Sequence, residues 1–456
     1  MDTLISGVTA VTMDEQMHVI FGAFIGIENG KITYIGKTAP EGQPKTIIDG
    51  TGMVAMPGLV NCHTHLATTA LRNYTDDLSR ADALKTLLEK EAKLDDVSAK
   101  ASATLGIAEC LRFGITSVSD LGLYPQAVAQ AAAESGIKAN IAMACSLFTD
   151  ENEEFDFEKD AGCIKLRDCV DAFHGFDNGR IRIDAGIHAE YTGNYKLWEA
   201  LAAYAEEKEL GFQLHLSESQ EEEEDCQDRT GLSQAELLSC HRVFARGASA
   251  TGCIALSDID RKYLAKNKVS CIHTPVAYLK NGQNTMDVAS TVKAGLNVAL
   301  GTGGAVEAGN VDLFPVMHLT ASLAREKAGN ADGFPASAAL MMATVCGARA
   351  QGRAEECGML KEGMDADIVL VDFSAPHLIP CHNVISSLVF SVKGGDVAMT
   401  MVEGNILYQN GKFPTLDLAG AVETMTTYAF ERLFREEETV CVIQTKSKVS
   451  CTVQPG

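Results

Sequence analysis

The chain has 456 residues, with 61 acidic and 38 basic side chains and a formal charge of −23, a balance that repels phosphate backbones and anionic lipid and argues against nucleic-acid and membrane-surface partners. Its composition, 46% hydrophobic, is that of an ordinary globular protein, and its length predicts one large domain and a smaller one. Fourteen cysteines without a CxxC pair exclude a zinc ribbon or thiol redox motif and fit reduced, buried small residues.

Met1-Asp2-Thr3-Leu4 opens without a basic segment leading into a long apolar core, and no stretch reaches membrane-spanning length free of charges or turn residues, so a cytoplasmic location is expected. From Leu4 to Ile48 short alternating segments are broken by turn residues. Asn29-Gly30 is the pair that favours a tight hairpin. The same device returns at Asn410-Gly411, after the strand-like runs Ala366 to Val371 and Met399 to Val402. Two β-rich flanks predict one small β-sandwich domain assembled from both chain ends, residues 1–56 plus 363–418.

Between the flanks, over 57–362, strand-like runs alternate with Ala-rich helical segments, the pattern of repeated βα units. Eight strands are expected to end near His63, Asp120, Leu147, His188, Glu218, Leu256, Pro275 and Gly303. Helices are predicted from Ser98 to Phe113, Lys196 to Leu210, Ser257 to Lys266 and Val311 to Lys327. The fold class is therefore α/β, a (β/α)₈ TIM barrel whose chemistry gathers at the C-terminal strand ends. The rival, a doubly wound open sheet for a dinucleotide, lacks its G-x-G-x-x-G turn after the first strand. A C-terminal unit over 419–456 is read as an amphipathic helix from Val422 to Glu437 and a polar tail.

The first barrel strand, entered through Pro57-Gly58, closes on His63-Thr64-His65. Alternate residues of a strand share a face, so both imidazoles can grip one ion. His188 ends the fourth strand. His215 and Glu218 end the fifth, three residues apart, where an imidazole can hold metal while the carboxylate moves protons. The acidic run Glu221 to Asp225 reads as a solvated loop or helix face.

These residues and their flanks resemble the amidohydrolase superfamily, in its branch of S-adenosylhomocysteine and methylthioadenosine deaminases and triazine chlorohydrolases. The resemblance spans nearly the whole chain. It rests on Pro57 to Asn61 before His63 and His65, Leu71-Arg72 followed by Asp76-Asp77, His215-Leu216-Ser217-Glu218, His273-Thr274-Pro275, Pro376-His377, Ser387 to Phe390 and Gly394 to Val397. It implies one divalent metal, zinc first and iron second, held by His63, His65 and His215, with Glu218 shuttling the proton and His188 against the substrate. Such a metal activates water for attack on an amidine-like carbon of a small heterocycle, and ammonia leaves. The implied partner is a small-molecule substrate, and a homodimer is common among such relatives.

Two positions depart from the family pattern. Its strand eight reads Gly-Thr-Asp-Gly, whereas this chain reads Gly301-Thr302-Gly303-Gly304. Its strand six ends Ala-His-Cys, whereas this chain has Thr251-Gly252-Cys253. Gly303 and Gly252 thus stand where a metal-binding aspartate and a substrate-polarising histidine are implied. Three imidazoles alone can hold zinc, but the two glycines leave open whether the metal is bound weakly or not at all. Loss of a positioned proton-transfer group costs on the order of 10²–10⁴ in rate. Glu218, Glu307 four residues beyond Gly303, or a substrate carboxylate are the available substitutes. The segment Ser79 to Lys85 carries no aromatic residue where nucleoside deaminases of this branch carry a Trp-Leu pair, which argues against an adenosine-type substrate. Arg72 is either an anion clamp or a structural ion-pair partner. The sequence therefore predicts a metal-dependent C–N hydrolase, an aminohydrolase with an altered site. The alternatives are a catalytically silent small-molecule binder of the same fold and a lyase-like derivative that uses Glu218 as base.

Overall fold

A computed structural model describes residues 1–148 and 154–435. The near end of the chain supplies β1 (Thr3–Val11), β2 (Val19–Glu28), β3 (Lys31–Gly36), β4 (Thr46–Asp49) and β5 (Met53–Pro57). Then come β6 (Leu59–Thr64), β7 (Ile115–Gly122), β8 (Lys138–Met143), β9 (Ile181–Gly186), β10 (Phe212–Leu216), β11 (Ala248–Gly252), β12 (Val269–His273) and β13 (Asn297–Leu300). The far end adds β14 (Ile368–Asp372), β15 (Val397–Val402) and β16 (Asn405–Gln409).

Strands β6 to β13 form one sheet in sequence order, each pair parallel. Their side chains are buried almost throughout, as strands covered on both faces require. The first and last strands meet at a seam made after β13 ends. The Gly303 N–H donates to the His63 carbonyl at 3.1 Å, and the Thr302 N–H donates to Asn61 Oδ1 at 3.0 Å. Gly301 makes this approach possible, because a Cβ there would lie 2.9 Å from the His63 nitrogen. The result is a nearly closed TIM-type barrel. Strands three and six stop at Met143 and Gly252, earlier than the sequence pattern suggests, because the apolar runs continue into loops packed on the barrel.

The five near-end and three far-end strands form a second, mostly antiparallel sheet, in which only the β1–β4 and β1–β5 pairs are parallel. Ile5, Ile25, Ile27, Ile368, Leu370 and Met401 share its separate apolar core, so neither chain end completes it alone. Asn29 (φ 51°) and Gly30 (φ 76°) make the two-residue turn between β2 and β3 that the left-handed tolerance of Asn and Gly allows. The helices predicted between barrel strands appear as Asp96–Arg112, Tyr195–Lys208, Asp258–Lys266 and Leu313–Ala328. The C-terminal helix begins at Leu418, before the expected Val422, since Asp417 caps it through the Gly420 N–H. It runs to Phe434, with a π-helical stretch over Met425–Ala429. Its Leu433 and Phe434 pack on Leu71 and Val306, which follow the two seam strands. The expected end at Glu437 and the polar tail lie outside the described residues. No helix among the described residues is long and apolar enough to cross a membrane.

Candidate metal centre at the barrel mouth

β6 carries His63 into the barrel interior, and His65 follows one residue past the strand. Asp120, at the end of β7, fixes that turn: its Oδ2 accepts the Leu66 N–H at 2.6 Å and the Thr64 hydroxyl at 3.1 Å. Burial pushes the Asp120 carboxyl up to about 6, against the opposing pull of the Leu66 bond and His65. His215 arrives from β10. The structure brings the three rings together, with His63 Nε2 3.2 Å from His65 Nε2 and 3.1 Å from His215 Nε2.

The outer nitrogens explain why these contacts suit a cation. His65 Nδ1 lies 2.5 Å from the Leu121 carbonyl and His215 Nδ1 2.9 Å from the His188 carbonyl. A carbonyl cannot donate, so each Nδ1 carries the proton, and in the neutral ring Nε2 presents a bare lone pair. Burial, reinforced by the neighbouring imidazoles, holds His63 well below the usual histidine range and His215 at about 3. Burial acts the same way on His65, but Glu307, Asp120 and the Leu121 carbonyl outweigh it and raise that ring. His63 and His215 are thus kept as neutral donors, while the carboxylates of Glu307 and Asp120 act on His65.

His188 lies beside this group, its ring centroid 5.0 Å from that of His215. Its Nδ1 is buried without a hydrogen-bond partner, and burial pushes the ring down to about 3. Glu218 stands past the end of β10, aimed by a left-handed Ser217 (φ 48°). Three bonds hold that conformation. The Ser217 N–H donates to Gln234 Oε1 at 2.9 Å, its hydroxyl to Glu223 Oε2 at 2.8 Å, and the Glu218 N–H to Glu222 Oε2 at 3.1 Å. The acidic run is therefore not simply a solvated face. It opens the helix Gln220–Thr230, and Glu223 is 3% exposed because it turns inward to grip Ser217.

Gly252 and Gly303 both have left-handed backbones, with φ of 99° and 73°. They differ in what surrounds them. A Cβ on Gly252 would lie 2.9 Å from Tyr278 Oη, 2.9 Å from Glu218 Cγ and 3.0 Å from the Leu216 carbonyl oxygen, whereas one on Gly303 would meet only Ala277 Cβ at 3.3 Å and Glu307 Cβ at 3.8 Å. Glu307 Oε2 is a buried acceptor without a partner. Tyr278, on the helix Pro275–Lys280 after β12, donates its hydroxyl to Glu218 Oε1 at 2.6 Å. Sequence reasoning missed Tyr278, Glu222 and Glu223; the one available signal for Tyr278 was its place just past His273-Thr274-Pro275. Arg72 is a structural partner, bonded to Glu109 and, at 2.6 Å, to the Gly309 carbonyl.

A TIM-type barrel with convergent histidines at the C-terminal ends of its first and fifth strands defines the class. The chain belongs to the amidohydrolase family, whose model matches residues 54–407. It is 34% identical over 422 residues to a 5-methylthioadenosine/S-adenosylhomocysteine deaminase of Caldicellulosiruptor saccharolyticus, covering 91% of this chain and 95% of that one. It is also 34% identical over 436 residues to a 5'-deoxyadenosine deaminase of Methanosarcina acetivorans, covering 95% and 99%. Among solved structures, an adenosine deaminase from Xanthomonas campestris with bound zinc superposes with a TM-score of 0.88 at 26% identity, covering 95% of this chain and 98% of that one.

Proposed function

We propose that this protein is a metal-dependent aminohydrolase that removes an amino group, as ammonia, from a small heterocycle. In this reading His63, His65 and His215 hold one zinc ion, Glu218 carries the proton and His188 faces the substrate. The observation that carries it is the convergence of three Nε2 atoms, two of them on rings whose Nδ1–H is held by a backbone carbonyl so that Nε2 faces the centre. Both close contacts converge on His63 Nε2, and a cation among the three nitrogens would satisfy them together. The three-nitrogen set is one that zinc takes in catalytic sites. Bound there, the metal would supply Lewis acidity toward water and the substrate ring nitrogen.

The chain's own groups supply the rest. Glu218 Oε1 is occupied by the Tyr278 hydroxyl, so Oε2 is left to take a proton from the attacking water and return it to the departing amine. His188, neutral at working pH, offers its unpartnered Nδ1 to a polar atom of the substrate. The nucleoside deaminases among the relatives support an amino-heterocycle. The lack of an aromatic residue over Ser79 to Lys85 favours a substrate without a stacked ribosyl part.

Metal analysis of the purified protein, with ammonia release from a panel of aminated heterocycles, tests this reading. One zinc per chain and turnover of at least one panel member is the expected result. A protein that takes up no zinc, iron or manganese on reconstitution would overturn it. A second reading, binding of the same ligand class without turnover, has Gly303 in its favour, since no side chain there can orient a water. It predicts metal uptake and ligand-induced stabilisation with no ammonia.

A further inference from the structure

We infer that Tyr278 is a positioning residue for Glu218, and that its phenol fills the room a side chain at residue 252 would need. The inference deepens the aminohydrolase reading and rests on Glu218 carrying the proton. The geometry has three parts. The Tyr278 hydroxyl donates to Glu218 Oε1 at 2.6 Å; the tyrosine is 7% exposed; and a Cβ on Gly252 would lie 2.9 Å from that hydroxyl and 2.9 Å from Glu218 Cγ. Phenol, carboxylate stem and glycine are therefore one packed unit. Glycine at 252 admits the phenol, and the phenol fixes the carboxylate.

The bond has a chemical consequence. A carboxylate has two oxygens, and a donor locked on one leaves the other for the migrating proton. Burial and the facing carboxylate of Glu218 push the Tyr278 phenol well above its ordinary range, so it remains a donor throughout. Ser217 and the Glu218 amide, tied to Glu223 and Glu222, fix the backbone of the carboxylate, while Tyr278 fixes its head from the next strand but one. With both ends fixed, the carboxylate stays close enough to His188 for its charge to act on that ring. Held in one rotamer, Glu218 avoids reorientation at the moment of transfer.

The test uses the full-length, metal-reconstituted protein and Tyr278→Phe, which keeps the ring and removes only the donor. On whichever aminated heterocycle is turned over, kcat is expected to fall about 10- to 100-fold, the range seen when an outer partner of a reacting group is lost. KM should change by less than about twofold, and metal content should be unchanged. A purely structural tyrosine would lower thermal stability without this split. The second measurement needs no turnover. In protein labelled with 3-fluorotyrosine, the fluorine resonance missing from Tyr278→Phe identifies residue 278. Glu218→Gln should shift that resonance while the other tyrosines stay in place. A resonance unmoved by Glu218→Gln, or an unchanged kcat in Tyr278→Phe, would overturn the inference. If the unmodified protein releases no ammonia from any panel member, the aminohydrolase reading fails, and the fluorine shift still decides whether Tyr278 holds Glu218.

Discussion

Two sides of one barrel mouth are built in opposite ways. On the side of β6 and β10 the strand ends themselves carry the groups proposed for the chemistry, with His63, His65, His215 and Glu218 projecting from or just beyond the strands. On the side of β11 and β13 the strand ends carry glycines, and the polar groups come from the helices after β12 and β13: Tyr278 reaches back over Gly252, and Glu307 lies beside Gly303 and Gly304. A strand-end side chain that is missing from the sequence is therefore not the same as an empty place in the site. The distinction matters energetically, because a group on a strand is positioned by the sheet, whereas one on a four- or six-residue helix depends on its local bonds.

The comparison breaks most easily on its stronger side. His215→Ala removes one of three converging nitrogens, and zinc affinity is expected to drop by more than about 100-fold, beyond the range for outer partners. Equilibrium dialysis against a competing chelator measures this, and retention of stoichiometric metal would show that the histidine cluster is not the site. Glu218→Gln should leave metal content intact and lower kcat by on the order of 10²–10⁴. Equal activity in the variant would assign proton transfer elsewhere.

The histidine side also carries a concentration of acid that can be read by titration. Burial pushes Glu91 up to about 7, with Glu307 and Asp120 adding to the shift and His65 opposing it. A buried carboxyl with a raised pKa holds its proton longer in the folded state than in the unfolded chain. Its contribution to stability is therefore fully present below about 4.5 and is lost as pH rises to about 7. For the metal-free protein, Glu91→Gln is expected to be neutral at pH 4.5 and stabilising at pH 8, by up to about 3 kcal/mol in urea unfolding. A difference that does not vary with pH would mean that Glu91 is not held in an acidic, desolvated setting.

Much of this was legible in the sequence, for physical reasons. Parallel strands covered on both faces must be apolar runs, so eight of them between helices announced the barrel. Two-residue alternation placed His63 and His65 on one face, and Asn29-Gly30 announced its hairpin. What stayed hidden was the direction of side chains whose partners are remote in the chain. Tyr278 and Glu218 are separated by 60 positions, and no periodicity links them. The run Glu221 to Asp225 announced charge but not that Glu223 points inward, because inward orientation is set by Ser217 and Gln234. The two glycines were legible as absences, while the groups that occupy their surroundings were not.

The weaker side can be tested by trying to restore it, and the two glycines should then behave differently. At Gly252 a side chain is blocked by Tyr278, Glu218 and a backbone oxygen, with a strained φ of 99°, so Gly252→His should misfold or lose stability without improving the site. At Gly303 the nearest atom to a new Cβ is 3.3 Å away, and aspartate tolerates a left-handed backbone better than most residues. Gly303→Asp is accordingly expected to fold and to raise zinc affinity by about tenfold, equivalent to about 1.4 kcal/mol. Glu307→Gln, which removes charge beside His65 while keeping shape, should lower zinc affinity by a similar factor. If Glu307 already supplies the charge the strand lacks, Gly303→Asp should gain more in the Glu307→Gln background than alone, because two carboxylates sharing one site repel. Equal gains in both backgrounds would mean that Glu307 and the strand position act on the metal independently, and that the helix does not stand in for the strand.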